Sequence, residues 1–529
     1  MLAKHQSDTR LRMAELLASL SLAIDLGVGQ PMEWVLRSCL LAVRLGDMLG
    51  LSERDCQDAY YLSLLRHVGC TATAATSATW IDDEANFAEL WTTDMDDMAK
   101  MMSFVFRHIG KGKPFFERAR TIARMFSSGP EGMAANHTAH CEVAVRVAET
   151  LGLGQGIQQG LWQVYERWDG KGAPKHLKGE SLALPVRLIQ LAQDAATFYQ
   201  LGGVDAAVAM ARARSGRYFD PALVEAFCSV APDLLGSLAG ESTWQAVLEA
   251  EPGVHAWISG AQIDTAAEVV ADFADLKSPF TIGHSRGVAD LAAAAAQQCG
   301  LPDADVVAVR RAALLHDLGR VGVSAAIWGK PGPLMESEWE RVRLHPYYTE
   351  RILTRSPALA PLGALAALHH ERLDGSGYHR QVASAQLPPA ARILAAADVY
   401  HALTEPRPHR AAYTPAAAAD EACRMMQAGQ LDPEAVNAVL SAAGHRVRAV
   451  RREWPGGLSE REVEVLRLLA RGLSNRQMAP ILSISEKTVS HHIQHIYDKI
   501  DVSTRAAATL FAMRHDLIFD LDPDPHLSA

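Results

Sequence analysis

The chain reads as an all-α protein: two tandem helical domains followed by a small helix-turn-helix unit. Three observations carry that reading. Apolar residues recur at three- and four-residue spacing, as in Leu11–Leu22, Val35–Leu45, Val306–Leu315 and Val463–Leu469, the period of one helix face. Alternating β-branched stretches are rare among the Ala- and Leu-rich segments. Gly-Pro clusters such as Lys330-Pro-Gly-Pro333 and Pro455-Gly-Gly457 punctuate the helices, and the second of these reads as a linker.

Length and charge narrow the classes. The chain has 529 residues, and domains of about 100–200 residues predict roughly three of them. A hydrophobic share of 49% excludes disordered and collagen-like chains, and a net charge of −10 confines any nucleic-acid binding to a local patch. Seven scattered cysteines without C-x-x-C spacing suit a reducing compartment. The early apolar stretch Leu16–Ile24 is too short to span a bilayer and has no cleavage-site pattern. The expectation is a cytoplasmic protein with no membrane partner.

An internal repeat accounts for the first two domains. Tyr165-Glu-Arg-Trp-Asp-Gly-Lys-Gly172 aligns with His370-Glu-Arg-Leu-Asp-Gly-Ser-Gly377, 205 residues on, where His140 falls on His345 and Leu188 on Ile393. Leu64–Gly69 aligns with Leu314–Gly319 at an offset of 250, so the first copy carries about 45 extra residues between Trp80 and Met125. The domains are read as 1–245, 250–450 and 457–518.

In the second copy lie His284, His316, Asp317, His345, His369, His370 and Asp398. Imidazoles and carboxylates together suit borderline first-row metals. On a helix, the adjacent His316-Asp317 pair would splay by about 100°, so that each faces a different metal or one bridges. The motifs His316-Asp-Leu-Gly-Arg320, Lys330-Pro-Gly-Pro-Leu, Arg343-Leu-His345-Pro, His369-His-Glu-Arg-Leu-Asp-Gly-Ser-Gly-Tyr378, Leu387-Pro and Ala391–Asp398 follow in order over about 130 residues. Together with Tyr400–Thr404 they resemble the HD-GYP domain of the HD phosphohydrolase superfamily. The resemblance implies an all-helical, metal-dependent phosphodiesterase of cyclic di-GMP or a related phosphoester. It also implies that those seven residues are metal ligands, with Asp317 bridging two divalent ions, Fe or Mn.

Such a pair activates water for in-line attack on phosphorus. Arg320, where the family usually has Lys, is expected to neutralise phosphoryl charge, and Arg372 and Tyr378 in the signature loop to touch substrate. Asp317 and Arg320 are thus the expected catalytic pair. Three positions depart from the pattern: His379 replaces the signature Pro, His401 replaces an Asp, and Phe280 stands where some members carry a third-metal Glu. Two readings stay open beside the diesterase: a ligand-sensing transcription factor whose metal domain is catalytically weak, and a hydrolase of nucleotide phosphomonoesters.

In the first copy the same positions read Trp34, Arg66, His67, His140, Val164, Tyr165 and Gln193, a set unsuited to metal. A sensory, dimer-mimicking or scaffold role is expected there. Within the insert, Asp94–Asp97 followed by Met98–Met102 reads as an acid-capped amphipathic helix whose methionines pack inward.

At the C-terminal side, Ser459 with Glu462 three residues on is a capping box, and Ser474 caps a fresh helix. Helices over 475–482 and 486–500, joined by a short turn, fit a helix-turn-helix, the second carrying Lys487, Thr488, Ser490, His491, Gln494 and Lys499. Residues 457–518 closely resemble the LuxR-type DNA-binding domain. The resemblance implies that the second helix enters the major groove of double-stranded DNA, usually from a homodimer. Near-balanced charge and Ser490 at a common Lys position imply few phosphate contacts. Residues after Asp520 are expected to fray.

Overall fold

A computed structural model of the chain describes residues 10–79, 87–94, 96–111, 114–238, 242–446, 454–482, 484–515 and 517. The tail after Asp520, Ile518 and parts of the insert lie outside these residues. The chain divides into two compact units, one ending at His445 and the other starting at Arg446.

The larger unit is helical, as the 3.6-residue period requires, and its elements recur. Trp34–Met48 and His284–Gln298 are helices of equal length, as are Glu53–Leu65 and Asp303–Leu315. The second member of each pair starts 250 residues after the first. Leu184–Arg214 and Pro389–Thr404 start 205 residues apart, each after a 3₁₀ turn at Gly179–Ser181 or Ser384–Gln386.

Local devices recur with the helices. Asp25, buried, accepts hydrogen bonds from the N–H groups of Trp34 and Val35 at 3.1 Å each. Asp275 accepts from the Ser285 N–H at 2.9 Å. Each carboxylate satisfies orphan donors at the next helix N-terminus, where negative charge also meets the positive end of the helix dipole. The residue entering each helix is left-handed, Glu33 at φ 74° and Gly283 at φ 81°. Two glycines permit close chain crossings. A Cβ on Gly69 would lie 2.1 Å from the His140 carbonyl oxygen, and one on Gly319 2.0 Å from that of His345.

One helix starts later than its period predicts. Arg10–Arg12 is a short strand paired antiparallel with Trp257–Ser259, so the first helix runs Met13–Gly27. Leu11 is buried from the strand rather than from a helix. This pairing, Ser356 Oγ donating to Glu15 at 2.6 Å, and the Arg355–Glu33 ion pair at 2.9 Å tie the two halves together.

The insert corrects another expectation. Met98–His108 is a helix capped by Asp97, whose carboxylate accepts from the N–H groups of Ala99 and Lys100. Its buried face, however, is Phe104 and Val105 with Ile109, while Met98 is exposed and Met101 and Met102 are half-buried. The wider aromatic and branched side chains fill that small core, and the flexible methionines flank it.

The smaller unit holds helices Glu460–Ala470, Asn475–Ile481, Glu486–Lys499 and Arg505–Arg514 around Val465, Leu466, Val489, Ile496 and Ala508. Pro455-Gly-Gly457 is not a free linker: Trp454 and Leu458 on either side of it are buried in this core. Glu462 accepts from the Ser459 N–H at 2.7 Å and also holds Lys499 Nζ at 2.7 Å. Burial alone would raise the Glu462 carboxyl, but Lys499 and Ser459 outweigh it and hold it below the usual range.

Alanine at Gly319 or at Gly69 is expected to destabilise the larger unit by about 1–3 kcal/mol through overpacking. Gly332→Ala, with open space around it, stays within about 0.5 kcal/mol of the parent. Urea unfolding checks this, and equal midpoints for all three variants would contradict it. Because Glu462 has a depressed folded pKa, its contribution is complete above an unfolded value of about 4.3 and fades as pH falls. Hydrogen-exchange protection factors over residues 460–499 should fall between pH 5 and 3 more steeply in the parent than in Glu462→Gln.

Candidate metal centre

Three histidines stand where helical segments end, and each donates its Nδ1–H to the carbonyl three residues earlier. His316 bonds Ala313 at 2.6 Å, His345 bonds Val342 at 2.6 Å and His369 bonds Ala366 at 2.7 Å. Carbonyls near a helix end or turn are free to accept, and the bond fixes the tautomer. The bare Nε2 lone pair of each ring therefore points inward. His345 Nε2 and His369 Nε2 lie 3.1 Å apart. His316 Nε2 is buried and has no hydrogen-bond partner. Acceptors facing each other in a buried site repel unless a cation sits among them, so this donor set fits divalent metal.

The structure brings all seven predicted ligand residues together. His345, His369 and His370 form one group and His284, His316 and Asp398 another, with the ligand atoms of each within 4.8 Å of one another. Asp317 lies between the groups. Its Oδ1 is 3.4 Å from His345 Nε2 and 3.6 Å from His369 Nε2, while its Oδ2 is 3.4 Å from His316 Nε2 and 3.8 Å from His284 Nε2. The splayed-pair expectation needs correction, because His316 and Asp317 do not share a helix. The α-helix ends at Leu315 and a 3₁₀ turn starts at Leu318, so the chain turns between the two side chains and both face the same centre.

Burial opposes charge on Asp317, but Arg320 and His316 outweigh it and hold the carboxyl well below its usual range. Arg320 Nη1 is 2.8 Å from Asp317 Oδ2, and its guanidinium lies 4.0 Å from the Trp328 ring centre. Tyr378 packs its ring 4.7 Å from that of His370, while Arg372, half-buried, stands in the same loop. The backbone of that loop is held by Glu371, which accepts from the N–H groups of Arg380, Gln381 and Val382. His379 faces Tyr347 at 5.8 Å and Glu350 at 3.9 Å, away from the ligand atoms. Its departure from the signature thus changes loop packing and leaves the donor set intact.

Sequence reasoning missed Glu405 and Trp328, and took His401 only as a departure. Glu405 Oε2 lies 2.8 Å from His284 Nδ1, and His401 Nδ1 is 3.4 Å from Glu405 Oε1. Burial disfavours a charged His284, but the bonds to Asp398 and Glu405 push it up to about 9. Arg407 binds Glu405 at 2.9 Å and also donates to the Phe280 carbonyl, so this carboxylate already has a cation beside it. Gly287 leaves room for His401, whose Nε2 would lie 1.9 Å from a Cβ there.

In the first copy the corresponding side chains bond to one another. His67 Nε2 donates to Gln193 Oε1 at 2.6 Å, His140 Nε2 pairs with Thr73 Oγ1 at 2.6 Å, and Trp34 stacks on His67 at 5.5 Å.

On the Glu486–Lys499 helix, Lys487, Thr488, Ser490, His491 and Gln494 are exposed, and His495 joins them, 4.2 Å from His491. Lys499 is exposed as well, and its ammonium binds Glu462 at 2.7 Å and the Gly457 carbonyl at 3.1 Å, which gives the capping-box carboxylate a counter-ion. No helix among the described residues is long and apolar enough to cross a membrane.

Comparison with known proteins places this geometry. The HD domain family matches residues 134–223 and 268–435, and the family of bacterial regulatory proteins, luxR family, matches 457–512. A 3'3'-cGAMP-specific phosphodiesterase of Vibrio cholerae serotype O1 is 33% identical over 437 residues, covering 81% of this chain and 94% of that protein. A cyclic di-GMP phosphodiesterase of Pseudomonas aeruginosa is 38% identical over 168 residues, covering 31% of this chain and 40% of its own length. The crystal structure of a cyclic GMP-AMP specific phosphodiesterase from V. cholerae aligns at TM-score 0.58 and 30% identity, covering 83% of this chain and 99% of that one. The chain belongs to the HD-GYP family of metal-dependent phosphodiesterases and carries, in addition, a luxR-family DNA-binding domain.

Proposed function

We propose that residues 250–450 hydrolyse a 3'3'-cyclic dinucleotide with two divalent ions bound, and that residues 457–518 bind double-stranded DNA. One chain would then join second-messenger turnover to transcription in the cytoplasm, while residues 1–245 form a copy without catalytic metal. The observation that carries the enzymatic reading is the 3.1 Å approach of two imidazole lone pairs, His345 and His369, beside a carboxylate. The substrate class follows from the relatives, whose names divide between cyclic GMP-AMP and cyclic di-GMP.

In this reading His345, His369 and His370 would hold one ion and His284, His316 and Asp398 the other, with Asp317 available to both groups. Imidazole with carboxylate favours iron or manganese. Bound divalent metal supplies Lewis-acid activation of water and of the phosphoryl oxygens. The remaining work belongs to the chain. Asp317 keeps the two ligand groups in register, and Glu405 fixes the His284 ring through Nδ1, as a carboxylate outside the ligand shell commonly does.

Arg320 reaches the centre from the same turn as Asp317. Its fork matches two phosphoryl oxygens and does not give up a proton at working pH, so it neutralises charge in the transition state. Tyr378 remains a phenol near neutral pH and offers its O–H to a substrate oxygen. Arg372, in the same loop, is placed to meet the second phosphate.

The full chain loaded with manganese or iron should convert 3'3'-cGAMP or cyclic di-GMP to a linear product, and chelation should abolish turnover. Arg320→Ala is expected to lower kcat by about 10²–10³ at unchanged metal content, whereas Asp317→Asn loses metal as well. Turnover that survives complete removal of metal would sink this reading.

For the second activity, the exposed face of the Glu486–Lys499 helix is the reading surface, used by two copies on a two-fold site. Lys487→Ala should weaken binding to all duplexes and reduce the slope of log K against log salt by about 1. Lys499→Ala should act on stability of the unit instead. A salt slope equal to the parent's in Lys487→Ala would remove that residue from the interface.

A further inference from the structure

A well-formed cavity among the described residues lies away from the His/Asp centre. It lies in the first copy, encloses about 590 Å³, and is bordered by Arg66, His67, Tyr165 and Gln193, the residues that align with metal ligands of the second copy. That volume is ordinary for a small-molecule site. Arg66, His67, Thr71, Trp91, His137 and Arg167 all border it, and each has one buried polar side-chain atom without a hydrogen-bond partner. His67 is 1% exposed and Thr71 5%. Unpaired buried polar atoms are few in native proteins, and several in the residues around one cavity mark it as a site for water or a polar ligand.

We propose that this cavity is a metal-free binding site for a nucleotide, which it holds without cleaving. Charge, aromatic walls and hydrogen-bond polarity each support the assignment. Asp194 is bonded to Arg214, and Glu166 on the same wall is held by the backbone N–H groups of Lys175 and Leu177, so Arg66 brings a buried positive charge to the cavity with no direct carboxylate bond of its own among the described residues. His67 meets Trp91 at 4.8 Å on one side, and His137 lies parallel to Tyr165 at 4.4 Å on another. These rings make part of the cavity wall aromatic, a surface that suits a planar heterocycle.

The unpaired atoms also match in kind. Arg66 and Trp91 carry N–H donors, which suit phosphate and carbonyl oxygens, while Arg167 is already paired with Asp96 and Asp169. His67 donates through Nε2 to Gln193, so its Nδ1 is an acceptor for the N–H edge of a base. Burial lowers His67 to about 3 and His137 to about 4, which leaves both rings neutral. The set holds a phosphate and a polar aromatic ring. With no carboxylate or imidazole group arranged for metal, nothing there activates water.

The test uses the full chain stripped of divalent ions, so it does not depend on the catalytic reading. AMP, GMP, 3'3'-cGAMP and cyclic di-GMP are titrated separately by calorimetry and tryptophan fluorescence. The expected result is saturable binding of at least one of them, weakened at least about tenfold in Arg66→Gln. Trp91→Leu, a second variant that leaves the cation in place, should also weaken binding and remove most of the fluorescence change. The arms tell a mononucleotide from a cyclic dinucleotide, and either supports the proposal. Absence of binding up to millimolar concentration overturns it, as does binding that both variants leave intact and Asp317→Asn abolishes. Capture of inorganic phosphate alone, with no added affinity from a base, overturns it as well.

Discussion

The constraint on which the metal centre depends is the fixing of imidazole tautomers by helix-end carbonyls. His316, His345 and His369 each give Nδ1–H to a carbonyl three residues back, which leaves three Nε2 lone pairs pointing into one buried space. Two of these lie 3.1 Å apart. That arrangement is unfavourable by itself and becomes favourable around cations, so local backbone geometry commits the site to metal before any ion arrives. Asp317 and Asp398 add negative charge at the same place, and Arg320 balances part of it.

The two copies show which features serve the scaffold and which serve the chemistry. Buried Asp25 and Asp275 cap equivalent helices, Gly69 and Gly319 allow equivalent crossings, and Glu166 and Glu371 each gather backbone N–H groups of the signature loop. These residues persist where metal ligands do not. Replacement of His316 by Arg66 and Asp317 by His67 in the aligned frame turns a centre needing cations into a cavity that carries one. The fold tolerates this because packing and capping are supplied by other side chains.

In the C-terminal unit, the same residue serves capping and tertiary packing. Glu462 closes its own helix N-terminus and anchors Lys499, which ties the start of one helix to the end of another. The exposed face of the Glu486–Lys499 helix presents Lys487, Thr488, Ser490, His491, Gln494 and His495, with Lys499 at its end tied to Glu462.

Helical periodicity, capping boxes and the 205- and 250-residue offsets were legible in the sequence because they are local or repeat in order along the chain. The seven metal-type side chains were legible through their residue types and motif order. Glu405 and Trp328 were not, because their roles depend on how the chain returns past His284 and Arg320, and no spacing encodes that approach. The short Arg10–Arg12 strand escaped the helix period for the same reason, since its partner lies at Trp257–Ser259. By itself the sequence determined the helices, the repeat and the kind of ligands. Only tertiary structure decided that Asp317 stands between two groups of His and Asp side chains, that Lys499 pairs with Glu462, and that a cavity opens in the first copy. These outcomes are set by distances between atoms far apart in the chain, which local pattern does not carry.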